Sequence, residues 1–171
     1  MSKQPLKSGT QSFFSKGKTA MAKIDVLTYK TGNGEAKGRF INVSAVVGKS
    51  GVNNKNDVLV VQAMIKIVAP EKLKVRHDEC PEPTGTFDKR LVSLIKRYQA
   101  HNSKFVSPCD GHIYPAKGES YHGSKKLWTI IKLNQDVAEI FLLSDPMTVE
   151  GTNHIEQLIS RYPQVSEAIA N

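Results

Sequence analysis

Two hydrophobic periods divide the chain. In "KIDVLTYK", residues 23–30, apolar and polar positions alternate and β-branched residues are frequent, which is the pattern of a half-buried strand. A glycine-rich stretch, "TGNGEAKG", follows, and "RFINVSAVVG" at 39–48 alternates again. Two alternating runs around a flexible turn predict a β-hairpin within 22–47. The loop "KSGVNNKN" then leads to a change of period at Asp57. Val58, Val61, Ile65 and Val68 recur at helical spacing, Asn56 is placed to cap the start, and Pro70 is placed to end the helix.

A second helix is the clearest element. Phe87, Leu91, Leu94, Ile95 and Tyr98 form one apolar stripe, with Lys89, Arg90, Ser93, Lys96 and Arg97 opposite and Thr86 positioned as a cap. A long loop at 102–123 precedes a third helical pattern, which starts at Ser124 and places Leu127, Ile130, Ile131 and Asn134 on one side. A last segment, Thr152 to Tyr162, sets Ile155, Leu158 and Ile159 helically before Pro163. Together these predict a mainly α protein: a flexible arm at 1–21, a hairpin at 22–47, a helical module at 48–143 and a C-terminal helical extension at 144–171. Gln99 and Asn134, amides within the helical patterns, are expected to be buried and hydrogen-bonded, and Trp128 to pack partly into the core.

Length and charge refine this picture. At 171 residues the chain can bury a real core. No apolar run reaches the length of a membrane span, and the N-terminus lacks the apolar core of a signal peptide. A product made in the cytoplasm and exported by a route other than general secretion is the matching expectation. Of the net charge of +8, residues 1–50 contribute nine basic against two acidic side chains, and the remainder carries 15 against 14. The basic third suits a solubilising tail or attraction to a polyanion. Nucleic acid is disfavoured as that partner, because aromatic residues suited to base stacking are thin there and no RNA-binding sheet motif occurs.

A glycine turn leading through an apolar residue into a helix occurs twice. Gly85 and Phe87 sit in "PTGTFDKRLVSLIKRYQ"; Gly111 and Ile113 sit in "CDGHIYPAKGESYHGSKKLWTII". With "NNKNDVLVVQAMI" before them, these stretches from Gly48 to Asn134 resemble the peptidoglycan-binding domain family, a three-helix module. Thr84 and Asp88 depart from that family's usual first-turn residues. Versions without a signal peptide resemble proteins of bacterial type VI secretion systems. The resemblance implies a three-helix peptidoglycan-binding-like bundle with a shallow groove between its two turns. It implies non-catalytic recognition of peptidoglycan or its fragments. The alternatives are a secreted effector that uses the same fold to bind a host or bacterial protein, and a cryptic wall hydrolase; a secretion-apparatus or target-cell protein is a further expected partner.

For such a ligand, the rings of His112, Tyr114 and Tyr121 beside the second turn are candidates for stacking on sugars. Arg76 and Arg97 are candidates for stem-peptide carboxylates, which a guanidinium meets with two parallel bonds. The spacings His77-x-x-Cys80 and Cys109-x-x-His112 are compatible with metal ligands, but zinc sites more often carry a Cys-x-x-Cys half. A disulfide between Cys80 and Cys109, close together because each borders a turn, is the larger expectation in an oxidising compartment, and two free thiols the other. No nucleotide-binding glycine loop occurs and every catalytic constellation is incomplete, so neither cofactor nor enzymatic activity is expected.

If the helical stripes share one core, Leu94→Ala should cost about 2–5 kcal/mol in urea denaturation. A cost near zero would exclude that packing.

Overall fold

The computed structural model describes residues 20–31, 34–117, 121–122, 126–141 and 153–170. The expected arm at 1–21 lies outside them except for Ala20 and Met21. The protein is mixed α/β and helix-rich. Strands β1 (Ala22–Thr31) and β2 (Gly34–Asn42) form the hairpin. The short strand β3 (Val47–Gly48) leads into helix α1 (Lys55–Leu73), a 3-10 turn (His77–Glu79) and α2 (Lys89–His101). The loop after α2 contains β4 (His112–Ile113), β5 (Tyr121–His122) and β6 (Lys126–Leu127). Helices α3 (Thr129–Ile140), α4 (Asn153–Arg161) and α5 (Gln164–Ala168) follow, and β7 (Ile169–Ala170) closes the described chain. No described helix is long and apolar enough to cross a membrane.

Helix α1 is the axis of the fold. It is apolar on nearly every side: all residues from Asp57 to Ile65, and Ile67 to Ala69, are buried. A helix of that composition must be surrounded, and α2, α3, α5 and the hairpin pack against it. Helix α2 instead buries a single stripe, Leu91, Leu94, Ile95, Tyr98 and Gln99. One hydrophobic cluster joins Leu27, Phe40 and Ile41 of the hairpin to Val58 and Ile65, Leu91 and Leu94, Ile131, and Leu158 of α4, with Phe87 and Leu127 packed at its margin.

Four sequence expectations shift. The hairpin pairs further into the predicted turn and ends sooner than 47: pairing runs unbroken from Lys23↔Asn42 to Thr31↔Gly34, and β2 stops at Asn42. Helix α1 begins after Asn54 rather than Asn56 and continues through Pro70. A proline removes the bond to the carbonyl four residues back and crowds that carbonyl, but the burial of Ile67, Val68 and Ala69 carries the helix on to a left-handed Lys74 (φ 56°). Asp88, not Thr86, caps α2, its carboxylate accepting from Leu91 N at 2.8 Å. Helix α3 starts at Thr129, not Ser124, because the backbone before it is committed to a ladder. Leu127 N donates to the Phe105 carbonyl at 2.7 Å and Ser107 N donates to the Leu127 carbonyl at 3.1 Å.

Three buried amides, one on each long helix, grip extended backbone. Gln62 of α1 accepts from the N–H groups of Thr84 (3.1 Å) and Gly85 (2.8 Å) and donates to the Thr86 carbonyl (2.8 Å). Gln99 of α2 accepts from Gly111 N (2.7 Å) and donates to the His112 carbonyl (2.8 Å) and Thr129 Oγ1 (3.1 Å). Asn134 of α3 accepts from Ile41 N (2.9 Å) and donates to the carbonyls of Ile41 (3.0 Å) and Ile130 (2.8 Å). Gly85 and Gly111 have φ of +79° and +85°, which favour glycine. A Cβ on either would fall within 2.6–2.7 Å of a lysine of the preceding helix, Lys55 or Lys96.

Gln99→Met keeps the side-chain volume but strands Gly111 N–H and the His112 carbonyl. It should cost about 1–3 kcal/mol per stranded group, read from urea midpoints. A loss below about 0.5 kcal/mol would show that other contacts hold the second turn.

Candidate functional site

Each glycine turn borders its own cleft, and the two linings share no residue. Among the described residues these are two separate depressions, one beside each turn. The polar amide clamps draw each turn onto a helix of its own, Gln62 on the first and Gln99 on the second.

The larger cleft, about 600 Å³, opens beside the second turn. That size lies in the usual range for small-ligand sites, about 300–1,000 Å³. One wall comes from the loop between β2 and α1: Ala45, Val46 and Val52. Asp57, in the first turn of α1, holds this loop by accepting from Ser44 N (2.8 Å), Ala45 N (3.0 Å) and Ser44 Oγ (2.7 Å). The opposite wall is Pro108, Tyr114, Pro115, Lys117 and Trp128. Pro115 and Lys117 flank Ala116, whose N–H and C=O are bound by the Asn42 amide at 3.0 and 2.8 Å. Val52 is 68% exposed although it stands in a polar loop, while Trp128, at the cap of α3, is only 8% exposed.

Three rings run along this side. His112 and Tyr114 are 5.8 Å apart between centroids, and Tyr114 and Trp128 are 6.4 Å apart, tilted by 48° and 50°. Asp110 fixes the middle ring, accepting from Tyr114 Oη at 2.8 Å and from His112 N at 3.0 Å. His112 Nε2 donates to the Lys49 carbonyl at 2.6 Å, and its Nδ1 lies 3.3 Å from Asp110 Oδ1. Burial alone would raise Asp110, but the Tyr114 hydroxyl, the His112 N–H and the His112 ring outweigh it and hold the carboxyl below its ordinary value. The same bond to Asp110, helped by burial, pushes the Tyr114 phenol up.

The smaller cleft, about 280 Å³, lies beside the first turn and is polar. Its carboxylates are engaged: Asp78 with Arg76, Glu82 with Lys66, and Asp88 with Arg90. Cys80 forms part of its wall. Burial raises the Cys80 thiol, against the pull of Lys66 and with the push of Glu79, so it is a poor nucleophile at neutral pH.

The candidates from sequence thus separate. His112 and Tyr114 join one ring cluster, and Tyr114 lines the larger cleft. Tyr121 pairs with Leu127 through its backbone, and its side chain lies outside the described atoms. Arg76 is not brought to either cleft: its side chain is 74% exposed and turned onto Asp78 and Glu79. Arg97 is exposed on α2 and lines neither cleft. The possible Cys80–Cys109 disulfide is not formed. Both thiols are free, with Cys80 facing the Arg76 carbonyl at 3.7 Å and Cys109 the carbonyls of Gln99 and Val106 at 3.5 Å. Among the described residues no group of three or more His, Cys, Asp and Glu is arranged to hold a metal. Sequence reading missed Ala45, Val46, Val52, Pro108, Pro115 and Lys117, and favoured partial core burial over ligand contact for Trp128. The one available signal was Val52, a lone apolar residue in "KSGVNNKN".

No family model, curated protein or solved structure matches the chain.

Because Asp110 is held low, the stability it lends is present above its unfolded value and is lost as pH falls through the lower folded value. Tyr114→Phe removes one donor. Its urea midpoint should lie below wild type at pH 7, and the gap should shrink as pH is taken from about 4 toward 2. A gap that stays constant would show that the ionised carboxylate is not the partner that matters.

Proposed function

We propose that this chain is a non-catalytic cell-wall recognition module. In this reading α1, α2 and α3 form a three-helix peptidoglycan-binding-like bundle to which the hairpin and C-terminal helices are added. The module works in a protein exported by a type VI-like secretion system, and peptidoglycan or its fragments are the ligand.

The observation that carries the reading is the repetition of one device. A helix glutamine clamps a positive-φ glycine turn at Gln62 with Gly85, and again at Gln99 with Gly111. That repetition matches the paired turns from which the resemblance was drawn. A ring-walled cleft of ligand size beside the second turn gives the module a place to bind. The groups that could do acid–base work there are already occupied, since Asp110 is bound to Tyr114 and to His112. This favours binding over hydrolysis.

The test is co-sedimentation of the full chain with purified insoluble peptidoglycan, run beside an assay for soluble muropeptides. Wild type should sediment and release nothing. Val52→Asp changes an exposed cleft residue and should leave the melting temperature unchanged while weakening retention about tenfold or more, the equivalent of one or two lost contacts. Muropeptide release, or retention indifferent to Val52→Asp, would overturn the reading. A chain that does not sediment at any salt concentration would transfer the module to a protein partner.

A further inference from the structure

Resting on that reading, we propose that the larger cleft takes the peptide part of the wall rather than its glycan. The bound group is the free terminal carboxylate of a stem peptide, held by Lys117 with the small apolar end of the peptide against Val46, Val52 and Pro115.

The lining chemistry separates the two halves of the polymer. A sugar is recognised by an open aromatic face together with planar polar groups that reach its hydroxyls. Here Trp128 is 8% exposed and tilted 50° to Tyr114, so the two rings make a corner and not a platform. The remaining wall is valine, alanine and proline, whose side chains offer no hydrogen bonds. The Tyr114 hydroxyl gives its one donor to Asp110 at 2.8 Å, so it has none left to offer a sugar. Such a corner suits methyl and methylene groups instead.

The charge is equally selective. Among the described residues, Lys117 is the one charged residue of this lining, is exposed, and has no carboxylate partner. The neighbouring carboxylate, Asp110, is satisfied by His112 and Tyr114 and is absent from the lining. An apolar corner with an exposed ammonium at its rim complements a small apolar residue ending in a carboxylate. The ammonium is carried on a segment whose position is set by the paired Asn42–Ala116 bonds, so it is delivered to a fixed rim of the cleft. Arg76 and Arg97, the carboxylate candidates from sequence, line neither cleft; Lys117 takes that part.

Trp128 is the chain's one tryptophan, so its fluorescence reports this cleft directly. The full chain is titrated with three probes: a synthetic stem pentapeptide ending in D-Ala–D-Ala as the free acid, the same peptide with its C-terminus amidated, and a peptide-free oligomer of the wall disaccharide. The free acid should bind and shift the Trp128 emission, and the amide should bind about tenfold more weakly, the scale of one charge-assisted hydrogen bond. Lys117→Gln should abolish the preference for acid over amide, and Lys117→Arg should retain it. Equal binding of acid and amide, or a glycan that binds better than either peptide, would overturn this proposal. In the glycan case sedimentation with intact peptidoglycan persists and wall recognition stands. If neither the fragments nor the intact polymer bind, the proposed function itself fails.

Discussion

A buried amide gripping the main chain is the interaction on which the rest of the structure depends. The loops between these helices are long and must cross apolar surface, where an unpaired N–H or C=O is costly. A carboxamide offers a donor and an acceptor side by side, so it can stand in for a neighbouring strand. Gln62, Gln99 and Asn134 each do this from a different helix, and Asn42 does it for Ala116. The clefts lie where they do because the turns are pulled inward at these points and the segments beside them are left standing proud.

A second polar device ties the helices to one another. Tyr98 of α2 donates to the buried Asp136 of α3 at 2.5 Å, and Lys132 and Lys72 lie on the same carboxylate. Burial, reinforced by Asp136, pushes the Tyr98 phenol well above its ordinary value, so it remains a donor throughout the physiological range. Lys72 also reaches Glu139, whose carboxyl it holds low by hydrogen bonding. This charge network sits at the end of α1 beyond Pro70, where the helix has lost one of its own bonds. It helps explain why that last turn survives its proline.

Much of the helical frame was legible because periodicity reports burial. The stripe of Leu91, Leu94, Ile95 and Tyr98 needs only one buried face to be read, and it is buried as expected. The burial of Gln99 and Asn134 was also legible from their place in those patterns. The start of α3 was not, since Leu127 has the same spacing whether it begins a helix or packs from a two-residue strand. The decision there is made by backbone partners at 105 and 107, distant information that no local window holds. The site was legible only in part. Tyr114 stood out as a ring beside a glycine turn, but the valines opposite it come from a loop some sixty residues earlier. Arginine was favoured for its fork, and a guanidinium with acidic neighbours at i+2 and i+3, as at Arg76, folds back on them instead.

The pairing of β7 with β1 sets an order on the life of this chain. Ala22 lies beside Ile169 and Lys23 beside Ala170, in parallel. The hairpin can zip by itself early, as local contacts do, yet its other edge stays open until the residues of β7 are there to pair with it. α5, which delivers β7, also packs on α1, so the central helix is left with an uncovered face for the same interval. Among the described elements, α5 is the helix that brings in the strand sealing β1. The two strands therefore act as a clasp, far apart in the chain and closed by their meeting.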